Sequence, residues 1–387
     1  MQKRFVFINV FLLVIAVAAL VSLGIVMLTS TGAYAQDNRG DPNYYLTHQF
    51  MWLGVGTVLC IIAALLDYRL LEKNWWLLYG AAVVLLCCCF IPGIGKSIHG
   101  SRRWIGFAGQ TLQPSEIAKL AALVGLAWWF SRKQTAARGF LDGFVYPLLG
   151  IGALVALIVP EVDLGSSVLI TGAGLLVMFV AGTRLHYLAF TGALGLGLLA
   201  LAIWLLPERT GRFLAFIKPE QYHADAYQQV QGLIAIGSGG VGGLGLGSGR
   251  QKSAYLPFAH TDFIFPVVGE ELGLFFALAV VFCYLVVLVT GIVIATRASD
   301  RFGQLLGFGI VALIALQAAM NIGVTTMVLP NKGLPLPFIS YGGSNLAFCL
   351  AGIGILISIY RRGFGETPDP DGHRFQARIK KRRTTRL

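Results

Sequence analysis

The sequence predicts an all-α polytopic membrane protein with ten transmembrane helices. Its 387 residues are 56% hydrophobic and only 12% charged, with a mean hydropathy of +0.73. Apolar runs of about 20 residues recur along it, each long enough to cross a hydrocarbon layer of about 30 Å as a helix. A helix satisfies its own backbone polar groups in lipid, so these runs read as spans. One membrane domain, 1–360, is followed by a polar tail, 361–387, with no long soluble domain.

The spans fall at 6–28, 47–66, 76–95, 115–131, 143–159, 166–182, 187–206, 266–296, 305–328 and 344–360. The first resembles a signal peptide, and Ala33-Tyr34-Ala35 mimics a cleavage site before Gln36. Its apolar run of roughly 22 residues exceeds the ~7–15 of a signal core, so it reads as an uncleaved span. The run 266–296 is overlong, which implies tilt or extension beyond the lipid.

An even span count places both termini on one side. Lys3, Arg4, Arg69, Lys73, Arg132, Lys133, Arg138, Arg184, Arg297, Arg301 and the basic tail share that side, so both termini are read as cytoplasmic. The tail, ending in a basic stretch at 380–383, decides this bias. It reads as disordered, and either lipid-associated or a partner contact.

The outer side still carries Arg39, Lys96, Arg102, Arg103, Arg209, Arg212, Lys218, Arg250, Lys252 and Lys332. Such charge points either to an anionic substrate, whose phosphate oxygens arginine and lysine hold, or to anionic lipid headgroups. The net charge of +12 sits in short loops, which argues against nucleic acid as a partner. Cys60, Cys87, Cys88, Cys89, Cys283 and Cys349 all lie inside apolar runs, so neither a disulfide framework nor a metal motif is expected.

A large outer loop, 207–265, joins spans seven and eight. Within it Tyr227, Val230, Leu233 and Ile234 have helical spacing and suggest a helix on the membrane surface. The glycine run 237–249 formally matches GxGxxG, but it follows no strand and is not a dinucleotide site. Its glycines suit tight turns and close backbone approach, with a phosphate seat as a guess.

Downstream comes Tyr255-Leu-Pro-Phe-Ala-His260-Thr261-Asp262-Phe-Ile-Phe265, then Pro266, taken as the opening of the eighth span. Asp262 at a membrane boundary can serve as a general base if partial desolvation lifts its pKa from ~3.9. The alternative is a helix cap, but Asp262 stands four residues before Pro266 rather than one.

Glu116 and Lys119 share a face of the fourth span, as a structural ion pair or a substrate contact. Glu161 and Asp163 lie in the outer hairpin between spans five and six, within reach of Lys119 or an outer arginine. Glu270 and Glu271 suit the positive end of their helix, or one faces a cavity. The segment 331–344, with Lys332, Ser340, prolines and glycines, is non-helical backbone at the membrane edge, tolerated only against protein or a wet cavity.

Together these pieces resemble the SEDS family (shape, elongation, division and sporulation), bacterial membrane glycosyltransferases that polymerise lipid II. The resemblance rests on Asp41-Pro-Asn-Tyr-Tyr-Leu with Gln49, Ser101-Arg-Arg-Trp-Ile, Gln113-Pro-Ser-Glu-Ile-Ala-Lys119, Asp163-Leu-Gly, the glycine run, His260-Thr-Asp-Phe-Ile-Phe, Gly269-Glu-Glu-Leu-Gly, and Lys332-Gly-Leu-Pro to Tyr341-Gly-Gly-Ser, in family order over 41–360. Gly249-Arg-Gln-Lys-Ser-Ala-Tyr-Leu-Pro looks like the division branch rather than the elongation branch.

The resemblance implies a ten-span fold with Asp262 as the catalytic base. It implies Lys332, Arg102, Arg103, Glu116, Lys119, Asp163, His260, Glu270 and Ser340 around the substrate. Lipid II would be the acceptor, a lipid-pyrophosphate-linked glycan the donor, and undecaprenyl pyrophosphate the leaving group. A divalent cation, magnesium or manganese, could share the diphosphate's charge, though no ligand cluster in the sequence proves it. The expected partners are a class B penicillin-binding protein and other division membrane proteins, at the septum of the cytoplasmic membrane. Three positions depart from the family's usual residues: Phe258 replaces Glu, Pro266 replaces Ala or Ser, and Glu161-Val162 replace Gln-Pro. The competing functions are a lipid II flippase and a non-catalytic division scaffold.

Overall fold

A computed structural model describes residues 2–32, 34, 41, 43–98, 101–107, 110–132, 137–205 and 207–365. The basic tail beyond 365, Arg39, Lys133 and the cleavage-like Ala35–Gln36 lie outside these residues.

Helices stand at each of the ten expected segments: α1 (Gln2–Gly32), α2 (Tyr44–Leu65), α4 (Trp75–Cys88), α5 (Pro114–Arg132), α6 (Tyr146–Ile158), α7 (Leu164–Ala181), α8 (Leu185–Leu205), α12 (Ile264–Thr296), α13 (Arg301–Thr325) and α14 (Gly343–Gly365). Between them lie the short α3 (Arg69–Lys73), α9 (Pro207–Ile217), α10 (His223–Gly239) and α11 (Gln251–Ala254). A π-helical turn, Leu141–Val145, leads into α6, and a 3-10 turn, Val159–Glu161, follows it. Among the described residues, seven helical segments are long and apolar enough to cross a membrane, and Trp75–Cys88 is apolar but shorter.

Two expectations need correction. The fold is not purely α. The third span was expected to run to 95, but α4 stops at Cys88. The chain then forms a three-stranded antiparallel sheet of β1 (Gly95–Ile98), β2 (Ser101–Phe107) and β3 (Gln110–Leu112). Lys96 pairs with Trp104 and Ile105 with Leu112 in this sheet. The overlong eighth span begins at Ile264 rather than Pro266, and it is broken at Gly273, whose φ of 79° and ψ of −176° are non-helical.

α13 lies at the centre, packed on α5, α7 and α12. Its N-terminus is capped by Asp300, whose side chain accepts from Gly303 N at 2.7 Å. α2 runs along α14, where Gly354 permits close approach: a Cβ there would stand 2.3 Å from the Cys60 carbonyl oxygen. α1 packs on α12 and buries Leu13, Leu20 and Met27 completely, so it is part of the fold's core. Phe190, Leu194, Leu196, Val58 and Ile61 face outward, the exposed apolar girdle expected of a lipid-embedded bundle.

The glycine run explains how α12 survives its break. Backbone N–H groups of Leu244 and Gly245 donate to the Glu270 and Glu271 carbonyls at 2.9 and 3.0 Å, and Leu274 N donates to Gly240 O at 3.0 Å. Loop backbone thus replaces the helical bonds lost at Gly273, which answers the phosphate guess with close backbone approach. Gly247 N is likewise taken by the Glu271 carboxylate at 2.9 Å. A Cβ on Gly273 would lie 2.4 Å from Gly243 N and 2.5 Å from Val241 O.

Replacing Gly273 by Ala should cost about 3 kcal/mol or more, because that backbone region is open only to glycine and the space is filled. Gly152→Ala in α6, where an added Cβ meets nothing within 4 Å, should be neutral or slightly stabilising. Thermal unfolding of the solubilised chain measures both.

Candidate active site

Asp262 lies just before α12, whose N-cap is Phe263. It is therefore not the helix cap. Its backbone is fixed by Asn321 on α13: the Asn321 Nδ2 donates to the Asp262 carbonyl at 2.8 Å and to the Leu334 carbonyl at 2.7 Å. One side chain thus ties the 255–263 loop to the 331–342 loop. A second tie is Ser340, which donates to Thr261 O at 2.6 Å and accepts from Leu336 N at 2.8 Å. A third is Tyr341 N, which donates to His260 O at 3.0 Å.

The Asp262 carboxylate points toward Gly333. A Cβ at Gly333 would stand 2.7 Å from its Oδ2, so a side chain there would crowd the acid. The side chain of Asp262 is half-buried. Desolvation raises its pKa from 3.8 to about 6, with Asp163 adding to the rise and Arg103 opposing it. The charges of Arg103 and Asp163 therefore reach Asp262 from the α4–α5 and α6–α7 connections.

Asp163 caps α7 through Ser166 N at 3.1 Å. Its other oxygen accepts from Gln113 Nε2 at 2.8 Å and Ser115 Oγ at 3.0 Å. Arg103 on β2 lies 3.9 Å from Asp163 and over the Trp104 ring at 4.5 Å. Arg102, its neighbour on the strand, is exposed. Lys332 adjoins Gly333 in the chain and is half-buried.

The remaining expected site residues divide differently. Glu116 and Lys119 form a buried pair at 2.8 Å. Asn345 Nδ2 donates to Glu116 at 3.1 Å, and Lys119 donates to Gln317 Oε1 at 3.2 Å. Gln317 in turn donates to the Pro335 carbonyl at 2.9 Å. The pair therefore ends a buried chain that holds the 331–342 loop. His260 is packed face to face with Tyr45, ring centres 4.2 Å apart, and beside Tyr341. Ser340 uses donor and acceptor within the protein. Glu270 accepts from Arg250 N at 2.8 Å and Gln251 N at 3.1 Å, so it anchors α11. Glu271 accepts from Lys252 and Ser30, each contact buried. These four position the loops and do not converge on Asp262.

The sequence reading passed over Gln317 and Asn321. They lie four apart in an apolar span, a spacing that places two amides on one helix face. Gln228 and Gln229 on α10 were also missed. Gln228 donates to Pro257 O at 3.0 Å, and Gln229 donates to Val324 O and Leu329 O at 2.8 and 2.9 Å. α10 is accordingly docked on protein through its small face (Ala226, Gly232, Ala235, Gly239) rather than simply laid on lipid. Tyr227, Leu233 and Ile234 remain exposed on its other side. Among the described residues, no three His, Cys, Asp or Glu side chains are gathered as a metal site.

The fold and site define a polytopic membrane protein with a desolvated carboxylate held in a cationic outer cleft. The sequence profile of the FtsW/RodA/SpoVE family, described as cell cycle protein, matches residues 11–363, and the chain belongs to that family. A probable peptidoglycan glycosyltransferase FtsW of Geobacter metallireducens is 39% identical over 346 residues, covering 89% of this chain and 92% of the relative. Stage V sporulation protein E of Bacillus subtilis is 37% identical over 353 residues, covering 90% and 96%. A chain from the structure reported as "Structural coordination of polymerization and crosslinking by a peptidoglycan synthase complex" superposes with a TM-score of 0.77 at 31% identity, covering 92% of this chain and 98% of that one. The rod shape determining protein RodA of Thermus thermophilus gives 0.66 at 28% identity, covering 92% and 97%.

Two expectations follow from the geometry. Gly333→Ala should press on Asp262 and lower turnover by about tenfold or more, since small misplacement at a reacting group is costly, while the thermal midpoint changes little. Burial favours protonated Asp262 in the fold. That stabilisation is complete below pH 3.8 and is lost as pH rises through about 6. Asp262→Asn should therefore melt above wild type at pH 8, with the gap closing toward pH 4.

Proposed function

We propose that the chain is a peptidoglycan glycosyltransferase that polymerises lipid II on the outer face of the bacterial cytoplasmic membrane. The observation that carries this reading is Asp262: a loop carboxylate with a pKa raised to about 6, pinned by Asn321 and opposed by Arg103. Such a group is ionised near neutral pH and basic enough to take a proton.

In the reaction, the Asp262 carboxylate accepts the proton of the acceptor's sugar hydroxyl. That oxygen forms a bond to the anomeric carbon of the donor. The bond from this carbon to the diphosphate oxygen breaks, and its electron pair leaves with undecaprenyl pyrophosphate. A single displacement of an α-linked donor gives a β-link. Arg103, Arg102 and Lys332 supply positive charge where the diphosphate accumulates it.

The chain is read with ten crossings and both termini in the cytoplasm. It acts with a class B penicillin-binding protein, because crosslinking needs a transpeptidase that the 387 residues do not contain. The chain solved in a peptidoglycan synthase complex supports that partnership. Resemblance to the division branch supports a place at the septum. A flippase would need charges along a passage. Here the buried cations Lys119 and Lys252 are each paired with a carboxylate, at 2.8 and 2.5 Å.

Labelled lipid II given to the purified chain and its class B partner tests the reading. Wild type should make glycan strands, with a rate that rises as pH passes about 6. Folded Asp262→Asn should lose about 10²–10⁴-fold, the usual weight of a general base. Equal rates in both would remove Asp262 from the chemistry. Strands from neither would favour lipid transport.

A further inference from the structure

Glu161 ends the 3-10 turn after α6 and is completely buried. Among the described residues, neither of its carboxylate oxygens receives an N–H or O–H hydrogen bond. Val162 beside it holds a left-handed φ of 65°, a costly conformation for a β-branched residue. A buried carboxylate in such a place is expensive unless a cation offsets it.

The cation at hand is Arg103. Strand β2 touches the Val159–Glu161 turn, and the charges of Arg103 and Asp163 both act on Glu161. Arg103 is itself unfinished. Its Nε is buried with no acceptor, and its contact to Asp163, at 3.9 Å, is too long for a hydrogen bond. The guanidinium thus rests on Trp104 between two carboxylates and completes its bonding with neither. On its open side it acts on Asp262.

A planar fork with spare donors fits a diphosphate, which offers paired oxygens in the same geometry. Any such anion must draw Arg103 away from Glu161 and Asp163. Asp163 is committed elsewhere, to Ser166, Gln113 and Ser115. Glu161 has no other commitment of this kind.

We propose that Glu161 is a positioning residue that competes with a bound diphosphate for Arg103, and so sets how tightly pyrophosphate-bearing donor and product are held. This rests on the glycosyltransferase reading for the source of the diphosphate. In that cycle the competition works at the end of each turn, when Arg103 returns to Glu161 and the leaving lipid pyrophosphate is released.

The test is direct binding of inorganic pyrophosphate to the solubilised full chain. Glu161→Gln keeps the shape and removes the charge. It should bind pyrophosphate roughly tenfold more tightly than wild type, the effect of one charge about 10 Å away at an effective dielectric near 20. Glu161→Asp, with a shorter reach, should fall between the two and serves if the Gln variant does not fold. In an Arg103→Gln background the gain should vanish, because Glu161 acts through Arg103. Equal or weaker binding by both Glu161 variants would overturn the proposal. So would a gain that persists without Arg103, or no binding by any form. None of these results depends on polymerisation, so they leave the Asp262 assay to stand or fall separately.

Discussion

The active end of the molecule depends on one amide. Asn321 donates to the carbonyls of Asp262 and Leu334, and thereby joins two loops that have no regular secondary structure of their own. Buried backbone carbonyls in a bundle must find donors. Asn321 supplies them from the central helix α13, so the position of Asp262 is inherited from the best-packed element of the fold. One turn earlier on the same helix face, Gln317 does the same for Pro335 and is itself held by Lys119. The Glu116–Lys119 pair is therefore remote support for the second loop.

Charge is distributed by the same logic. In the outer half of the bundle, Lys119 and Lys252 meet carboxylates, and Asp163 is surrounded by donors. These groups are satisfied and rigid. Asp262, Arg103 and Glu161 are the less finished ones, and they lie around one cleft. Incomplete bonding at a desolvated site leaves capacity for a ligand, whereas complete bonding elsewhere holds the cleft's shape.

Much of this was legible beforehand. Long apolar runs announced the helical segments, because crossing lipid leaves a coarse and lengthy signal. Asp262 stood out as an acid beside a membrane boundary. The sheet at 95–112 did not, since its strands are short and carry Lys96, Arg102 and Arg103 rather than a clear apolar alternation. Nor did the amides of Gln317 and Asn321: without charge, they vanish into the hydropathy of α13. His260 and Ser340 were read as ligands of substrate because polar residues in a loop suggest binding. Their stacking on Tyr45 and bonding to Thr261 depend on contacts from distant segments, which no local pattern displays.

The break in α12 carries a further consequence. Its joint is closed by main-chain bonds from Leu244, Gly245 and Leu274, with glycines allowing the two backbones to touch. Such a seam contains no titrating group. Its stiffness is indifferent to proton concentration and to dissolved ions, both of which vary freely outside a cell envelope. The acid a few residues away can change its protonation with the surroundings while the scaffold that aims it stays the same.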